Sequence, residues 1–299
     1  MTESANVRPH EDRFETLSPL TAGKWLFAGT NVTGQSHEAA SAACDDAWFC
    51  GQTANGFAIG VVSDGAGSAP HGGLAAEQIC KTLSGLESDL AAVPVPVVKS
   101  APVLEDGTPA SASADWSKVL RKVRARLIRA RKDLARLAAR RGCPIDDFWA
   151  TVICVVAHPR CGAIIFHIGD GAASVFRDDG TPILTSQPEN GAFLNETYFL
   201  VEDDWENHCR VCDVADIAEH SIFLMTDGVT DLAYHREGRE LRPEPGFFRP
   251  LIEYLAARPR EAGERGLHGL LSTERAREMV DDDKTIVWMK FGRNDERTA

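Results

Sequence analysis

The sequence predicts an α+β fold in which mainly antiparallel sheets pack face to face and helices lie outside. Three observations carry this expectation. Short apolar runs of strand length recur along the chain, several are separated by only a tight turn, and two long amphipathic segments interrupt the series. A turn of two to five residues joins antiparallel neighbours, because a parallel crossover needs a dozen residues or more.

Residues 1–20 are polar and read as a tail. Strand character follows at Trp25–Gly29, Ala47–Cys50 and Gly56–Ser63. Gly73–Leu86 opens after a glycine pair and keeps Leu74, Ile79 and Leu83 for burial, so it reads as a helix. Residues 92–114 hold four prolines and many small residues and read as a flexible excursion. From Trp116 to Arg140 apolar residues recur at 116, 120, 123, 127, 134 and 137/138, the period of a packed helix. The runs Thr151–Ala157, Ala163–Gly169 and Ala172–Arg177 are linked by the turns 158–162 and 170–171. Val152–Val156 is apolar throughout, as in a strand covered on both faces. Ser221–Thr226 and Thr285–Lys290 complete the strands, and the Arg-, Pro- and Gly-rich stretch from Tyr234 to about Glu264 reads as irregular. No repeat of fixed period is present. The expected organisation is one folded unit over 21–292 between short tails, 1–20 and 293–299.

Composition narrows the function classes. Of 299 residues, 43% are hydrophobic and 25% charged, which excludes a disordered, collagen-like or coiled-coil chain. The net charge of −12 argues against a nucleic-acid coat or an anionic membrane surface as partner. Between Lys118 and Arg141 the balance reverses: eleven bases face one acid, leaving −22 for the remainder. That segment reads first as a solvated helix face and second as a docking face for an acidic partner. Eight cysteines without a signal-peptide pattern, and no run long enough to span a bilayer, point to free thiols and a cytoplasmic location. The lone pair Cys209 and Cys212 has metal-like or redox-like spacing but no second pair to complete a site.

The chemistry lies in acidic strand ends. Asp64-Gly65, Asp170-Gly171 and Asp227-Gly228 each end an apolar strand, Asp282 precedes 285–290, and Asp45-Asp46 precedes 47–50. One such turn means little, since Asp-Gly favours turns. Five acidic strand ends brought into one cleft would repel strongly unless protonated or bound to hard divalent cations. A glycine after Asp64 lets the backbone come close enough to offer a carbonyl ligand.

Gly34-Gln-Ser-His37 leading to Cys44-Asp-Asp-Ala47, Val62-Ser-Asp-Gly-Ala-Gly-Ser68, Ala150-Thr-Val-Ile153, Ile168-Gly-Asp-Gly171, Met225-Thr-Asp-Gly228 and Asp282-Asp-Lys-Thr-Ile286 occur in this order. This series resembles the metal-dependent protein phosphatase 2C family, in its compact bacterial branch, over roughly residues 22–291. The resemblance implies a four-layer α-β-β-α sandwich. It implies hydrolysis of phosphoserine and phosphothreonine in proteins by a hydroxide bridging two Mn²⁺ or Mg²⁺ ions, and a serine/threonine kinase that makes the substrate. Asp64 would bridge both metals, the Gly65 carbonyl would complete one site, and Asp227 with Asp282 would hold the other ion. Asp45 and Asp46 match the acidic pair, one binding metal and the other orienting its water. Asp170 would serve a third, weaker metal, and His37 would orient a carboxylate or bind phosphate. Many relatives carry a histidine where Ala66 stands and an arginine where Ser41 stands; both changes put the proton donor and the phosphate grip in doubt, and His71 is the nearest substitute donor. The alternative is a phosphatase-fold binding module with weak or no turnover, which should lack one of the metal aspartates.

Overall fold

The computed structural model describes residues 23–99, 113–188, 197–238 and 240–293. Both expected tails, apart from residue 293, and residues 100–112 of the excursion lie outside the described residues. Ten strands build two sheets: β1 (Gly23–Val32), β2 (Asp46–Gln52), β3 (Ala58–Asp64), β4 (Val152–His158), β5 (Gly162–Ile168), β6 (Ala172–Phe176), β7 (Pro182–Ser186), β8 (Arg210–Val214), β9 (Ser221–Met225) and β10 (Lys284–Arg293). One sheet has the order β1-β10-β9-β6-β7 and the other β8-β5-β4-β3-β2, and every pairing is antiparallel.

Alternation along β4 shows why four layers form. Ile153, Val155 and Ala157 join the core between the sheets, while Val152, Cys154 and Val156 join the core beneath the helices. Both faces are therefore dry, and the strand reads as one apolar run. Helices α1 (Gly72–Ser84) and α2 (Ser117–Arg141) cover that sheet through Ala76, Ile79, Leu83, Val123, Leu127 and Leu134. Burial of each of the Ile, Leu and Val side chains contributes about 1.5–3 kcal/mol. α2 stops at Gly142, whose φ of +69° is the left-handed cap that glycine adopts without strain.

The stretch from Tyr234 to Glu264 corrects the sequence reading. It forms a hairpin, Tyr234–Glu237 with Glu240–Pro243, followed by α3 (Pro245–Ala256) and α4 (Arg260–Leu271). Two of its prolines stand at helix starts, Pro245 at the first helical position and Pro259 just before α4, where a missing N–H costs nothing, while Pro250 lies inside α3. Phe248, Leu251, Ile252 and Leu255 supply the buried stripe. The edge strands β7 and β8 were also missed, because half of their side chains face solvent and leave no apolar run.

Phe248 anchors this outer layer. It is fully buried, stacks on Phe176 at 4.2 Å between ring centroids and meets Phe223 and Tyr234 edge-on. Phe248→Ala should cost about 3–5 kcal/mol, the range for deleting a buried aromatic ring. The urea midpoint measures it; a midpoint equal to the parent's would place α3 outside the core.

Candidate metal centre

The three Asp-Gly strand ends meet. Asp64 ends β3, Asp170 sits in the β5–β6 turn, and Asp227 opens the short helix Asp227–Ala233 directly after β9. One carboxylate oxygen from each lies within 4.8 Å of the other two. Together with Asp282 they line a cleft of about 470 Å³ whose walls include Ala66, Ser68, Trp149, Phe199 and Glu202. No Lys, Arg or His is among its lining residues in the described part of the chain. A slightly larger groove, about 510 Å³, opens between the 227–233 helix and α3–α4, and it contains none of the predicted site residues.

Backbone pairing sets each carboxylate. The Asp64 amide donates to Thr151 Oγ1 at 3.1 Å, and the Thr151 amide returns a bond to the Asp64 carbonyl at 2.8 Å. Asp46 stands opposite Asp64 in the β2–β3 register and is 4% exposed. Its Oδ2 accepts from Thr226 Oγ1 at 2.8 Å, while its Oδ1 is buried without a partner. Thr197 Oγ1 donates to Asp170 Oδ2 at 2.5 Å, and Asp170 Oδ1 is likewise buried and unpartnered. Two glycines permit the approach. A Cβ on Gly65 would overlap the backbone of Gly72 and Gly73, and one on Gly228 would overlap the Asp283 carbonyl.

The acidic pair divides. Asp46 turns toward the cluster, whereas Asp45 lies on the far side against Gly73, its carboxylate 3.7 Å from His37 Nε2. Successive side chains of an extended chain point to opposite faces, so adjacent acids cannot share one role. At the other doublet, Asp282 reaches the cleft and Asp283 turns inward, 3% exposed. Asp283 accepts three bonds: Gly34 N at 2.6 Å, Asp45 N at 2.5 Å and His37 Nδ1 at 2.9 Å. His37 therefore sits on Asp283 and outside the cleft lining. Sequence reasoning missed Asp283 as this anchor, although the doublet itself was the available signal. It also missed Lys284, 1% exposed, whose Nζ donates to the Asp282 carbonyl at 2.7 Å, and Glu202, which has no motif around it.

Other candidates lie elsewhere. His71 is outside the cleft, its ring 5.0 Å from that of Phe148. Ser41 is exposed. Burial, then the negative Asp46, pushes the Cys44 thiol up and away from a thiolate nucleophile. Cys209 and Cys212 belong to no metal-type cluster among the described residues.

Burial is the first cause that raises the Asp46, Asp64 and Asp227 carboxyls, and repulsion from neighbouring aspartates adds to it. Buried oxygens without donors, in a donor set made of carboxylates, fit hard divalent cations such as Mn²⁺ or Mg²⁺.

Comparison with known proteins agrees with this chemistry. The family model described as protein phosphatase 2C matches residues 33–272. Among solved structures, the catalytic domain of the serine/threonine protein phosphatase PstP with two manganese ions is similar at a TM-score of 0.56 and 17% identity, covering 90% of this chain and 98% of that one. PppA, a regulatory component of the T6SS in Pseudomonas aeruginosa, is similar at 0.56 and 16%, covering 89% and 97%. RsbX in complex with magnesium gives 0.52 and 11%, covering 90% and 96%. No curated protein matches the chain by sequence.

The metal-free protein should lose stability as pH rises from about 4 to about 7. Asp46 and Asp227 start from 3.8 and are pushed up to about 7 in the fold, so the folded state keeps protons that the unfolded chain has released. Stability from this source is complete below the lower value and lost above the upper one. Saturating Mn²⁺ should cancel the dependence, so the Tm gap between loaded and chelated protein widens with pH. A constant gap from about pH 5 to 8 would reject the buried-carboxylate centre.

Proposed function

The chain belongs to the protein phosphatase 2C family, the metal-dependent serine/threonine protein phosphatases, and from that premise we propose how its own residues divide the work. The observation that carries the assignment is the cleft of Asp64, Asp170, Asp227 and Asp282, backed by Asp46 and lined by no cationic side chain among the described residues. A phosphate dianion cannot enter such a cleft against bare carboxylates, so cations must neutralise them first.

Asp46, Asp64, Asp170, Asp227, Asp282 and the Gly65 carbonyl would hold Mn²⁺ or Mg²⁺. Bound there, such ions supply Lewis-acid activation of water and neutralise the phosphoryl oxygens. The remaining residues position this set. Thr226 aims Asp46 and Thr197 aims Asp170. Asp283 gathers Gly34, His37 and the Asp45 amide, so His37 and Asp45 act as supports and not as reacting groups. Trp149 and Phe199 stack at 5.3 Å between centroids and form an apolar wall for the peptide that carries the phosphate. With Ala66 at the position of a family histidine, Glu202 is the cleft's proton donor to the leaving serine or threonine oxygen. It lines the cleft, and burial raises its carboxyl. The presence of all these aspartates disfavours a binding module without turnover.

The catalytic unit spans 21–292 in this reading, and the substrate is a phosphoprotein made by a serine/threonine kinase. Eight unpaired thiols support a cytoplasmic setting; no described helix is long and apolar enough to cross a membrane. On α2, Arg124, Arg126 and Arg131 are engaged by Glu206, Asp89 and Asp203. Lys118, Arg121, Lys122 and Lys132 are exposed and form no ion pair among the described residues, which leaves them for an acidic partner.

Kinetics test the assignment. Phosphopeptide hydrolysis should disappear on chelation and return with Mn²⁺ or Mg²⁺, fall by orders of magnitude in Asp64→Asn, and stay within a few-fold in Cys44→Ser. Glu202→Gln should slow an alkyl phosphopeptide by about 10²-fold or more, the size of general-acid assistance, while sparing an aryl phosphate whose leaving group needs no proton. Equal rates for the two substrates relative to the parent would remove Glu202 from catalysis. For the basic face, Lys118→Glu with Lys122→Glu should weaken binding to a polyglutamate probe and steepen no activity change. Binding unaffected by that double charge reversal would leave α2 as a solvated face.

A further inference from the structure

A second donor cluster lies outside the carboxylate cleft. His71, Cys143 and Asp147 each offer one ligand atom, and all three atoms lie within 4.8 Å of one another. The residues come from three places: the start of α1, the residue after the cap of α2, and the 3₁₀ turn Ile145–Phe148. Their backbones are tied together. The His71 amide donates to the Asp147 carbonyl at 2.8 Å, the Cys143 amide to Ala138 O at 3.2 Å, and the Asp147 amide to Pro144 O at 3.3 Å. The His71 ring rests on Phe148 and makes no hydrogen bond among the described residues. All three side chains are half-buried, so an ion can reach them.

We infer that His71, Cys143 and Asp147 form a binding site for a soft divalent transition ion of the Zn²⁺ class, separate from the cleft. The donor types decide the ion. Thiolate and imidazole select zinc-like cations, whereas the all-oxygen cleft selects Mn²⁺ or Mg²⁺. Ligand atoms around tetrahedral zinc stand about 3.3–3.8 Å apart given metal bonds of 2.0–2.3 Å, so donor atoms already within 4.8 Å of one another need close by at most roughly 1.5 Å through side-chain rotation. Three protein donors leave the fourth position to water. The ion would pin the loop 65–71 to the turn that leads into Trp149, and both border the cleft. The inference uses no metal aspartate and does not depend on the phosphatase reading.

Cobalt(II) is the probe, since its thiolate charge-transfer and tetrahedral ligand-field bands report coordination directly. The full chain, freed of metal and held in excess Mg²⁺ to occupy the cleft, should bind one equivalent of Co²⁺ with a thiolate band that Zn²⁺ abolishes. Cys143→Ser should remove the thiolate band, His71→Ala should weaken Co²⁺ binding at least tenfold, and Cys44→Ser should change neither. Thermal midpoints of the variants in Mg²⁺ alone verify that they are folded, and Zn²⁺ should raise the midpoint of the parent but not of Cys143→Ser. A band that survives in folded Cys143→Ser, or one lost instead in Cys209→Ser with Cys212→Ser, would overturn the site. So would the absence of any thiolate band at several-fold molar excess of Co²⁺.

Discussion

Carboxylates that meet in a half-buried cleft repel one another, and the fold has to hold Asp46, Asp64, Asp170, Asp227 and Asp282 together against that repulsion. Almost everything near the cleft can be understood as a response to this. Hydroxyls from Thr226 and Thr197 each fix one carboxylate oxygen. Lys284 is buried beside the doublet, and its charge offsets part of the field. Protonation covers the remainder only while no metal is present. The arrangement is therefore costly on its own and favourable with cations bound, and metal affinity and fold stability become linked quantities.

Holding the ends together falls to the sandwich. Antiparallel pairing places the Asp64 end of β3 against Ala150 and Thr151, and β9 delivers Asp227 beside the start of β10. The two sheets share an apolar core from Trp25, Val62, Ile165, Leu224 and Met289, so the strand ends cannot separate without exposing it. Rigidity at the site is thus supplied from behind, by apolar burial, and not by the polar groups that do the chemistry. Asp283 is the exception. It sits inside the polar layer and joins segments almost 250 residues apart through three accepted hydrogen bonds.

The same logic explains which parts of the site are soft. His37 belongs to a short helix, Gln35–Ala39, with no buried residue, Asp45 lies in the irregular segment that follows it, and both depend on Asp283 for their placement. Glu202 and the aromatic wall of Trp149 and Phe199 sit on connections between strands. Connections vary more easily than the strands they join, so in the proposed mechanism substrate selection would fall there and metal retention to the strand ends.

The sequence by itself determined the antiparallel architecture, the two long helices and the acidic strand ends. These are local properties: turn length decides strand direction, a 3.6-residue stripe decides a helix, and Asp-Gly decides a strand end. The family resemblance carried by the motif order further implied one centre of Asp64, Asp227 and Asp282, with Asp170 beside it and Asp45 and Asp46 as an undivided acidic pair. Only the tertiary structure decided between neighbours of the same kind. Asp45 and Asp46, or Asp282 and Asp283, are indistinguishable as residue types; the fold buries Asp46 toward the cluster and leaves Asp45 beside His37, and it brings Asp282 to the cleft while Asp283 turns inward. Nor could the linear chain reveal Glu202, or the meeting of His71 with Cys143 and Asp147 across some seventy residues. Such contacts have no local signature, because they arise from packing α1 and α2 on the same sheet, and packing is a property of the whole core.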